Sequence, residues 1–431
     1  MAVNNSYSTD YEKILDTGRP PTIKKLFPNS KALIVSGKFI DKAMIKKGKC
    51  MTIAANGRSR FVIKGALMAA KRANAAIIVE IARSEGGTEA YCAVNLWNIA
   101  TYVDALCNEF AITIPVAVHA DHFGIKKMGD IPRAKTEIPS LFDAGVTSIA
   151  IDASHMPDDQ NLLANLELKP FVPDWAGLET EVGEIKGKLG LSTPEEALFL
   201  IRGLNANNIF PNWIALNNGT THGIEQSDTG INVELTREIH EALVKYKISG
   251  AQHGTSGNNS DRLKQIASKT RTTKANVATA LQMISWGVEV NDYGNAILDD
   301  KGNFIKKQGK GVTEQVWKDM LSYAESHDLK GGNFKKLNLV FENRFLTQPK
   351  EIRDRMAKGV ENFVFNLLVN VFNAKDTAPL VAEEILAAGT YDPGPKAQSF
   401  EAPDEWTKDE IIRKGAQMTP TSNASGENFD D

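Results

Sequence analysis

The feature that most constrains this fold is an alternation of short apolar runs with longer amphipathic ones, which begins at Cys50. The short runs are rich in β-branched residues, as are strands buried on both faces of a parallel sheet. Their starts lie roughly 25 to 40 residues apart, the length of a strand plus a crossover helix. Eight such runs predict strands, at 50–56, 75–82, 115–121, 146–152, 177–183, 212–218, 248–254 and 286–292.

Helical signals fill the gaps between these runs. In "STPEEALFLIRGL", Thr193 is a candidate N-cap, Pro194 takes the first helical position and Glu196 follows three residues after the cap. No G-x-G-x-x-G follows the first strand, which argues against a dinucleotide-binding open sheet. The pattern therefore predicts an α/β fold, a (β/α)8 TIM barrel with an N-terminal extension and C-terminal helical additions.

The chain divides into four predicted regions. We expect an N-terminal extension at 1–49, the barrel core with the catalytic site at 50–292, an insertion and C-terminal helices packing on the barrel at 293–390, and a polar, partly disordered tail at 391–431. Within the third region, "MAKGVENFVFNLLVNVFNA" is apolar on a broad face. This segment is either the helix that closes the barrel or an oligomer contact.

Composition narrows the functional classes. The 431 residues carry a net charge of −3, so no basic field indicates nucleic acid, and no apolar run has the length of a membrane span. Cys50, Cys92 and Cys107 occur singly in apolar segments, as reduced core cysteines do. The polar N-terminus has no signal-peptide core. We expect a cytoplasmic protein with neither nucleic acid nor membrane as a partner.

Histidines concentrate at the ends of predicted strands. Five of the seven lie there, namely His119, His122, His155, His222 and His253. Any one of them could be an ordinary core imidazole, but active residues of such barrels collect at the C-terminal strand ends. Imidazoles with carboxylates are a ligand set suited to Zn²⁺. Because Asp121 and His122 would point to opposite sides of a strand, the chain must turn there if both serve one site.

Several short motifs, taken in order, resemble a known family. They are "HADH", "SIAIDASHMP", "LETEVGEI", "LSTPEEA", "TTHG" and "HGTSG". Together they resemble the class II (zinc-dependent) ketose-bisphosphate aldolases, typified by class II fructose-bisphosphate aldolase. The resemblance covers about residues 50–292, with a weaker trace to 390. The glycine-rich "HGTSG", read alone, is either a turn or a phosphate loop.

The resemblance implies roles at the matching positions. It implies proton exchange with substrate by Asp121 and a second acid at Glu184, the only carboxylate of the short loop "GEIKGKLG". It implies metal ligands at His122, His222 and His253, with Glu181 and Asp158 at an alternative metal position. It implies substrate or phosphate contacts at Asn56, Ser84, Gly223, Gly254, Ser256, Asn291 and Lys350.

Two of these matches depart from the family pattern. The family has Asn-x-Asp-Thr/Ser after strand eight, and Asn291 of "VNDYGN" matches it only with a gap of one residue. A family Pro-Arg is replaced by Pro349-Lys350, and lysine lacks the bidentate fork of arginine.

The expected function is reversible aldol cleavage of a phosphorylated ketose, similar to fructose 1,6-bisphosphate, to dihydroxyacetone phosphate and an aldehyde. This would place the chain in carbohydrate metabolism such as glycolysis, with catalytic Zn²⁺, a monovalent cation as a further candidate cofactor, and a homodimer or higher homo-oligomer. The alternatives are an aldolase for a modified sugar phosphate, a metal-dependent TIM-barrel hydrolase or isomerase, and a non-catalytic barrel that binds a sugar phosphate.

Overall fold

Eight parallel strands close into a barrel, because the first strand pairs with the eighth as well as with the second. The computed structural model describes residues 6–88, 90–183, 190–219, 230–255, 258–291, 294–300 and 302–418. The strands are β1 Thr52–Asn56, β2 Ile77–Ala82, β3 Val116–Gly124, β4 Ser148–Asp152, β5 Gly177–Val182, β6 Trp213–Leu216, β7 Ser249–Gln252 and β8 Thr272–Val277. The predicted (β/α)8 barrel is confirmed.

Helices surround the barrel and extend it at both ends of the chain. They are α1 Ser6–Gly18, α2 Pro21–Leu26, α3 Gly37–Lys47, α4 Arg60–Ala73, α5 Arg83–Gly86, α6 Ile99–Glu109, α7 Ile131–Asp143, α8 Asp158–Leu168, α9 Pro194–Ala206, α10 Val233–Ala242, α11 Ser260–Lys269, α12 Thr279–Trp286, α13 Glu314–Ser326, α14 Leu337–Leu346, α15 Lys350–Asn366, α16 Ala378–Ala388 and α17 Lys408–Gly415.

The start of α9 shows how local sequence sets these elements. The Thr193 hydroxyl accepts a hydrogen bond from the backbone N–H of Glu196 at 3.2 Å, and the Glu196 carboxylate accepts one from the N–H of Thr193 at 2.8 Å. These reciprocal bonds satisfy two N–H groups that a helix end leaves free. The predicted cap is confirmed.

The position of the eighth strand is where the sequence prediction is wrong. The sequence "TTKANV" forms β8, whereas the predicted strand 286–292 starts at the last residue of α12, and its described part ends at Asn291. Within it, Val290 forms an antiparallel bridge with Ala296 of the insertion. Asn291 therefore belongs to a turn, in which its side chain accepts a hydrogen bond from the N–H of Asn295 at 3.0 Å. It does not follow a barrel strand.

The apolar segment 356–374 closes the outer layer of helices. It forms most of α15, which packs against α4 and α12, and its Val360 and Val364 are buried there. Of the two interpretations of this segment, the contacts favour the closing helix. The predicted limits of the four regions stay a prediction.

The end of the barrel where the strands begin is covered by two distant parts of the chain. The helix α3 packs against β3, β5 and β8. From the C-terminal segment, the ammonium of Lys396 reaches Asp41 of α3 at 2.5 Å, the carbonyl of Asn212 at 2.8 Å and the hydroxyl of Ser249 at 2.8 Å. This end is filled, so a site has to lie at the opposite end.

Two expectations from composition can be compared with the fold. Cys50, Cys92 and Cys107 are buried and unpaired, as expected of core cysteines. Among the helices of the described ranges, none has the length and apolar character needed to cross a membrane.

Candidate active site and metal centre

The end of β3 is irregular and places Asp121 and His122 next to each other at the open end of the barrel. The backbone of His122 has a φ of +54°, in the left-handed region that few residues other than glycine adopt. At the same point, the pairing of β3 with β4 shifts register between Ala120 and Phe123. Consecutive strand side chains normally point to opposite faces, so this turn is what directs both side chains into one site. The predicted turn is confirmed.

Two imidazoles meet at the centre of this site. Nε2 of His122 lies 2.6 Å from Nδ1 of His253, which directly follows β7. Nδ1 of His122 lies 3.3 Å from Asp152 and 3.2 Å from Glu181, while Nε2 of His253 lies 2.8 Å from Glu179. A carboxylate therefore orients each ring from behind, as outer-shell groups do for metal-binding histidines.

These side chains include three overlapping groups of potential metal ligands. In each group the ligand atoms lie within 4.8 Å of one another, and the groups are Asp121, His122 and His253; His122, Asp152 and Glu181; and Glu179, Glu181 and His253. Burial, together with the neighbouring Asp152, raises the pKa of Glu181. So many carboxylates around two imidazoles form a donor set that fits a divalent cation such as zinc.

A buried lysine, which the sequence analysis did not select, organises the carboxylates below the imidazoles. Nζ of Lys274 in β8 lies 2.7 Å from Glu179, 3.3 Å from Glu80 and 3.4 Å from Asp121. It also lies 3.1 Å from Nε2 of His119, whose Nδ1 is within hydrogen-bond distance of the Ser148 hydroxyl. Five strands, β2, β3, β4, β5 and β8, thus contribute polar side chains to one network inside the barrel.

The charges in this network can be assigned from pKa directions. Burial lowers the pKa of Lys274, but its three carboxylate neighbours outweigh burial and raise that pKa well above its usual value. Burial raises the pKa of Glu179, yet Lys274 and His253 outweigh it and hold that pKa at about 2. The pKa of Asp121 falls below its usual range because His122 and Lys274 outweigh burial. Burial and the nearby Asp121 raise the pKa of Glu80.

His119 differs from the other two histidines of the site. Burial lowers its pKa to about 3, and the charge on Lys274 acts in the same direction. It is therefore a neutral imidazole held between Ser148 and Lys274. Its contacts indicate that His119 supports the site from behind.

Asn56, at the end of β1, belongs to a second buried group on the neighbouring part of the rim. Its Nδ2 donates to Glu85 of α5 at 2.5 Å, and Glu85 is also bound by Arg58, whose Nε donates at 2.7 Å. Nη1 of Arg58 donates to Gln282 at 3.0 Å. The amide of Asn338, from α14 in the insertion, donates to the same Gln282 oxygen at 2.8 Å.

The other predicted site residues have different placements. Ser84 is exposed on α5, and Gly254 follows His253 with a φ of +58°. Asp158 begins α8, and Lys350 begins α15, where it is 76% exposed and pairs with Asp354 at 2.6 Å. The remaining ones lie outside the described residues, namely Glu184, His222, Gly223 and Ser256.

Comparison with known families decides what kind of protein has this barrel and site. The family described as "Fructose-bisphosphate aldolase class-II" matches residues 38–328. The chain belongs to the class II fructose-bisphosphate aldolase family. Members of this family are carbon–carbon lyases, and the predicted family and enzyme class are confirmed.

Individual relatives in the class II aldolase family differ in what they are named for. The chain is 27% identical over 260 residues to a fructose-bisphosphate aldolase of Mycoplasma pneumoniae, covering 59% of this chain and 84% of that protein. It is 28% identical over 235 residues to a 6-phospho-5-dehydro-2-deoxy-D-gluconate aldolase of Bacillus subtilis. That match covers 53% of this chain and 76% of that protein. The crystal structure of the YdjI aldolase from Escherichia coli K12 has the same fold, with a TM-score of 0.53 at 15% identity over 80% of this chain and 99% of that one.

The observed position of β8 identifies a better match to the class II aldolase pattern. The sequence at its end, "NVAT", runs from Asn276 to Thr279 and fits Asn-x-Asp-Thr/Ser without a gap, with Ala278 at the acidic position. Asn276 also reaches the site, where its Nδ2 donates to Asp121 at 2.9 Å. Placing strand eight correctly would have revealed both Lys274 and Asn276 in the sequence.

Proposed function

We propose that this chain is a zinc-dependent aldolase that reversibly cleaves a phosphorylated ketose to dihydroxyacetone phosphate and an aldehyde. The observation that carries the proposal is the turn at His122, which sets a fixed carboxylate beside a pair of imidazoles. Family membership supplies the reaction class, and the names of relatives include both a bisphosphate and a modified sugar phosphate as substrates.

The residues present fit a zinc ion. Two imidazole nitrogens face each other at 2.6 Å with carboxylate oxygens close by, and nitrogen and oxygen donors so arranged are a ligand set suited to zinc. His122 and His253 would hold the ion together with His222, and Glu181 and Asp158 would form the alternative position. When bound, zinc acts as a Lewis acid that polarises the ketone and stabilises the negative charge formed on cleavage.

In this proposal, Asp121 takes the proton from the C4 hydroxyl. Its Oδ1 is held by Asn276 at 2.9 Å and by Lys274 at 3.4 Å, so Oδ2 is the oxygen that would accept the proton. As the proton leaves, the C3–C4 bond breaks and its electron pair stays on the donor fragment as an enediolate. Glu184 is proposed as the acid that returns a proton to that fragment.

Lys274 distinguishes this mechanism from one that uses a lysine Schiff base. A nucleophilic amine must lose its proton, but three buried carboxylates hold Lys274 protonated. We therefore expect borohydride treatment in the presence of ketose phosphate to leave the protein unmodified.

The proposal is tested by metal removal and restoration. Chelator-treated protein should lose cleavage of ketose phosphates and regain it with Zn²⁺, measured as release of dihydroxyacetone phosphate. The panel should include fructose 1,6-bisphosphate, fructose 1-phosphate and a phosphorylated keto-deoxy sugar acid. Metal-loaded protein that cleaves none of them but hydrolyses esters or amides would establish the hydrolase alternative instead.

A further inference from the structure

Lys274 reaches the proposed general base across the interior of the barrel. Lys274 lies in β8 and Asp121 in β3, and β1 and β2 separate these two strands in the sheet. The side chain of Lys274 is fully buried, and its Nζ donates to Oδ1 of Asp121 at 3.4 Å. The two strands are not neighbours, so this connection depends on a side chain long enough to cross the barrel.

The other contacts of Lys274 fix the position of its ammonium group. Nζ donates to Oε2 of Glu179 at 2.7 Å and lies 3.1 Å from Nε2 of His119. Nδ1 of His119 is 2.9 Å from the Ser148 hydroxyl, so this neutral ring can accept a hydrogen bond from Lys274 through Nε2. An ammonium group has three N–H groups, and Glu179, His119 and Asp121 account for all three.

Glu80 is close to Lys274 but does not take one of these N–H groups. Its Oε2 lies 3.3 Å from Nζ of Lys274. Neither carboxyl oxygen of Glu80 has a hydrogen-bond partner within the part of the chain that the structure describes. The third N–H group of Lys274 is therefore assigned to Asp121.

The same strand supplies a second donor to the same oxygen of Asp121. Asn276 follows Lys274 by two residues, so both side chains lie on one face of β8, and Nδ2 of Asn276 donates to Oδ1 at 2.9 Å. The last torsion of an aspartate side chain is broad, so two donors on one oxygen restrict the carboxylate more than one does. Oδ2 remains for the substrate, 4.0 Å from Nε2 of His122.

We propose that Lys274 is a positioning residue for the general base, whose ammonium holds Oδ1 of Asp121 so that Oδ2 faces the C4 hydroxyl. The inference rests on the proposed aldolase function. In cleavage, the hydroxyl proton passes to Oδ2, the C3–C4 bond breaks, its electron pair stays on the donor fragment, and the C4–O bond becomes the aldehyde carbonyl. Asp121 takes part in this step, and Lys274 acts through it.

The other half of the reaction does not need Asp121. When dihydroxyacetone phosphate binds alone, its hydroxymethyl carbon loses a proton to form the enediolate, and the proposed group for that transfer is Glu184. This transfer appears as exchange of the carbon-bound proton with solvent, without any aldehyde. Lys274 should therefore matter for cleavage and not for proton exchange.

The test compares these two reactions in Lys274→Met protein. For the ketose phosphate that wild type cleaves fastest, kcat should fall about a hundredfold, as expected when a reacting group is misplaced by about 1 Å. KM should stay close to wild type, because the lost interaction acts on the transition state. Proton exchange of dihydroxyacetone phosphate in deuterium oxide, followed by NMR, should also stay close to wild type. A purely structural role would slow both reactions alike.

Lys396→Met is the matched control for lost stability. It also removes a buried ammonium group from a carboxylate, but at the opposite end of the barrel, so neither rate should change. Elemental analysis should find the zinc content of wild type in both variants. If Lys274→Met does not fold, Lys274→Gln takes its place, because glutamine is polar but lacks the charge and reach of lysine, and the same selective loss is expected.

Two kinds of result would count against these proposals, and they are distinguishable. Equal losses of cleavage and exchange in a folded Lys274 variant, or undiminished cleavage, would overturn the positioning role while leaving the aldolase function intact. Zinc-loaded wild-type protein that catalyses neither cleavage nor exchange would refute the aldolase function, and the inference with it.

Discussion

At the scale of single residues, the left-handed backbone of His122 is the feature on which the site depends. A left-handed conformation costs a residue with a side chain roughly 1–2 kcal/mol, and packing around β3 has to offset that cost. In return, one strand supplies both a carboxylate and an imidazole from adjacent positions. A regular strand would have sent Asp121 or His122 to the outer face.

Asp121→Asn should separate proton transfer from metal binding. The amide keeps the shape of the side chain but cannot accept the C4 proton, so kcat should fall about a hundred- to ten-thousandfold. Steady-state cleavage assays measure the loss, and elemental analysis should find the zinc content unchanged. Near wild-type cleavage by this variant would contradict the role of Asp121 as the base.

Glu342, on α14 in the insertion, is a second residue with an unusual environment. It is 7% exposed, and neither carboxylate oxygen has a hydrogen-bond partner within the described ranges. Burial raises the pKa of Glu342 to about 7. The folded state therefore keeps a proton that the unfolded chain releases, and stability is lost as the pH rises toward this value.

Glu342→Gln should remove this pH dependence. Between about pH 4 and about pH 8, ionisation of Glu342 should cost the wild-type protein about 3 kcal/mol, a cost that the amide does not have. Thermal unfolding of both proteins across this range is the measurement. As the pH rises, the Tm of the variant should increase relative to the Tm of wild type. A Tm difference that stays constant across this range would show that Glu342 does not titrate there.

At the scale of elements, β3 and β8 mark what the sequence could and could not predict. The β3 segment was predictable because apolar residues precede its polar end, and "HADH" is specific. In β8, Lys274 and Asn276 point into the barrel and are paired by residues of other strands, so "TTKANV" shows no hydrophobic pattern. The sequence of 286–292 has the pattern of a strand, but Val288 and Val290 form only isolated bridges with Lys306 and Ala296 of the insertion.

The ion pairs of Lys274 connect β8 to β2, β3 and β5. Removing the charge of Lys274 should therefore weaken the packing of these four strands. Lys274→Met leaves the buried carboxylates of Glu179 and Asp121 without their cation, so the free energy of unfolding should fall by about 3–5 kcal/mol. Denaturant unfolding measures the change. Lys307→Met, which removes an exposed pair with Glu289, should cost less than about 1 kcal/mol. Equal losses in both variants would refute the importance of burial.

At the scale of the whole molecule, the two ends of the barrel differ. The candidate active site lies where the strands end, and other parts of the chain cover the end where the strands begin. Lys396 belongs to the C-terminal segment, more than a hundred residues after the last strand. It covers the end of the barrel where the strands begin, and it pairs with Asp41 of α3. Asp41 is fully buried and has one further bond, from the Thr273 hydroxyl at 2.7 Å. The segment is therefore part of the barrel's stability although it is remote from its chemistry.

Lys396→Met should separate stability from catalysis. Loss of the ammonium leaves Asp41 as a buried, unpaired charge, which should lower the free energy of unfolding by about 3–5 kcal/mol. The kcat/KM of the protein that remains folded should match wild type, since Lys396 lies at the opposite end from Asp121. Adding Asp41→Asn should restore part of the lost stability. A large fall in kcat/KM would instead show that the two ends are coupled.

The ion pair of Lys396 with Asp41 also has a consequence for folding during translation. During translation, all eight strands leave the ribosome before residue 396, and until then Asp41 is buried or exposed without its counter-ion. A nascent barrel can therefore collapse but cannot reach its final stability before this lysine emerges, which prolongs the interval in which chaperones would bind it.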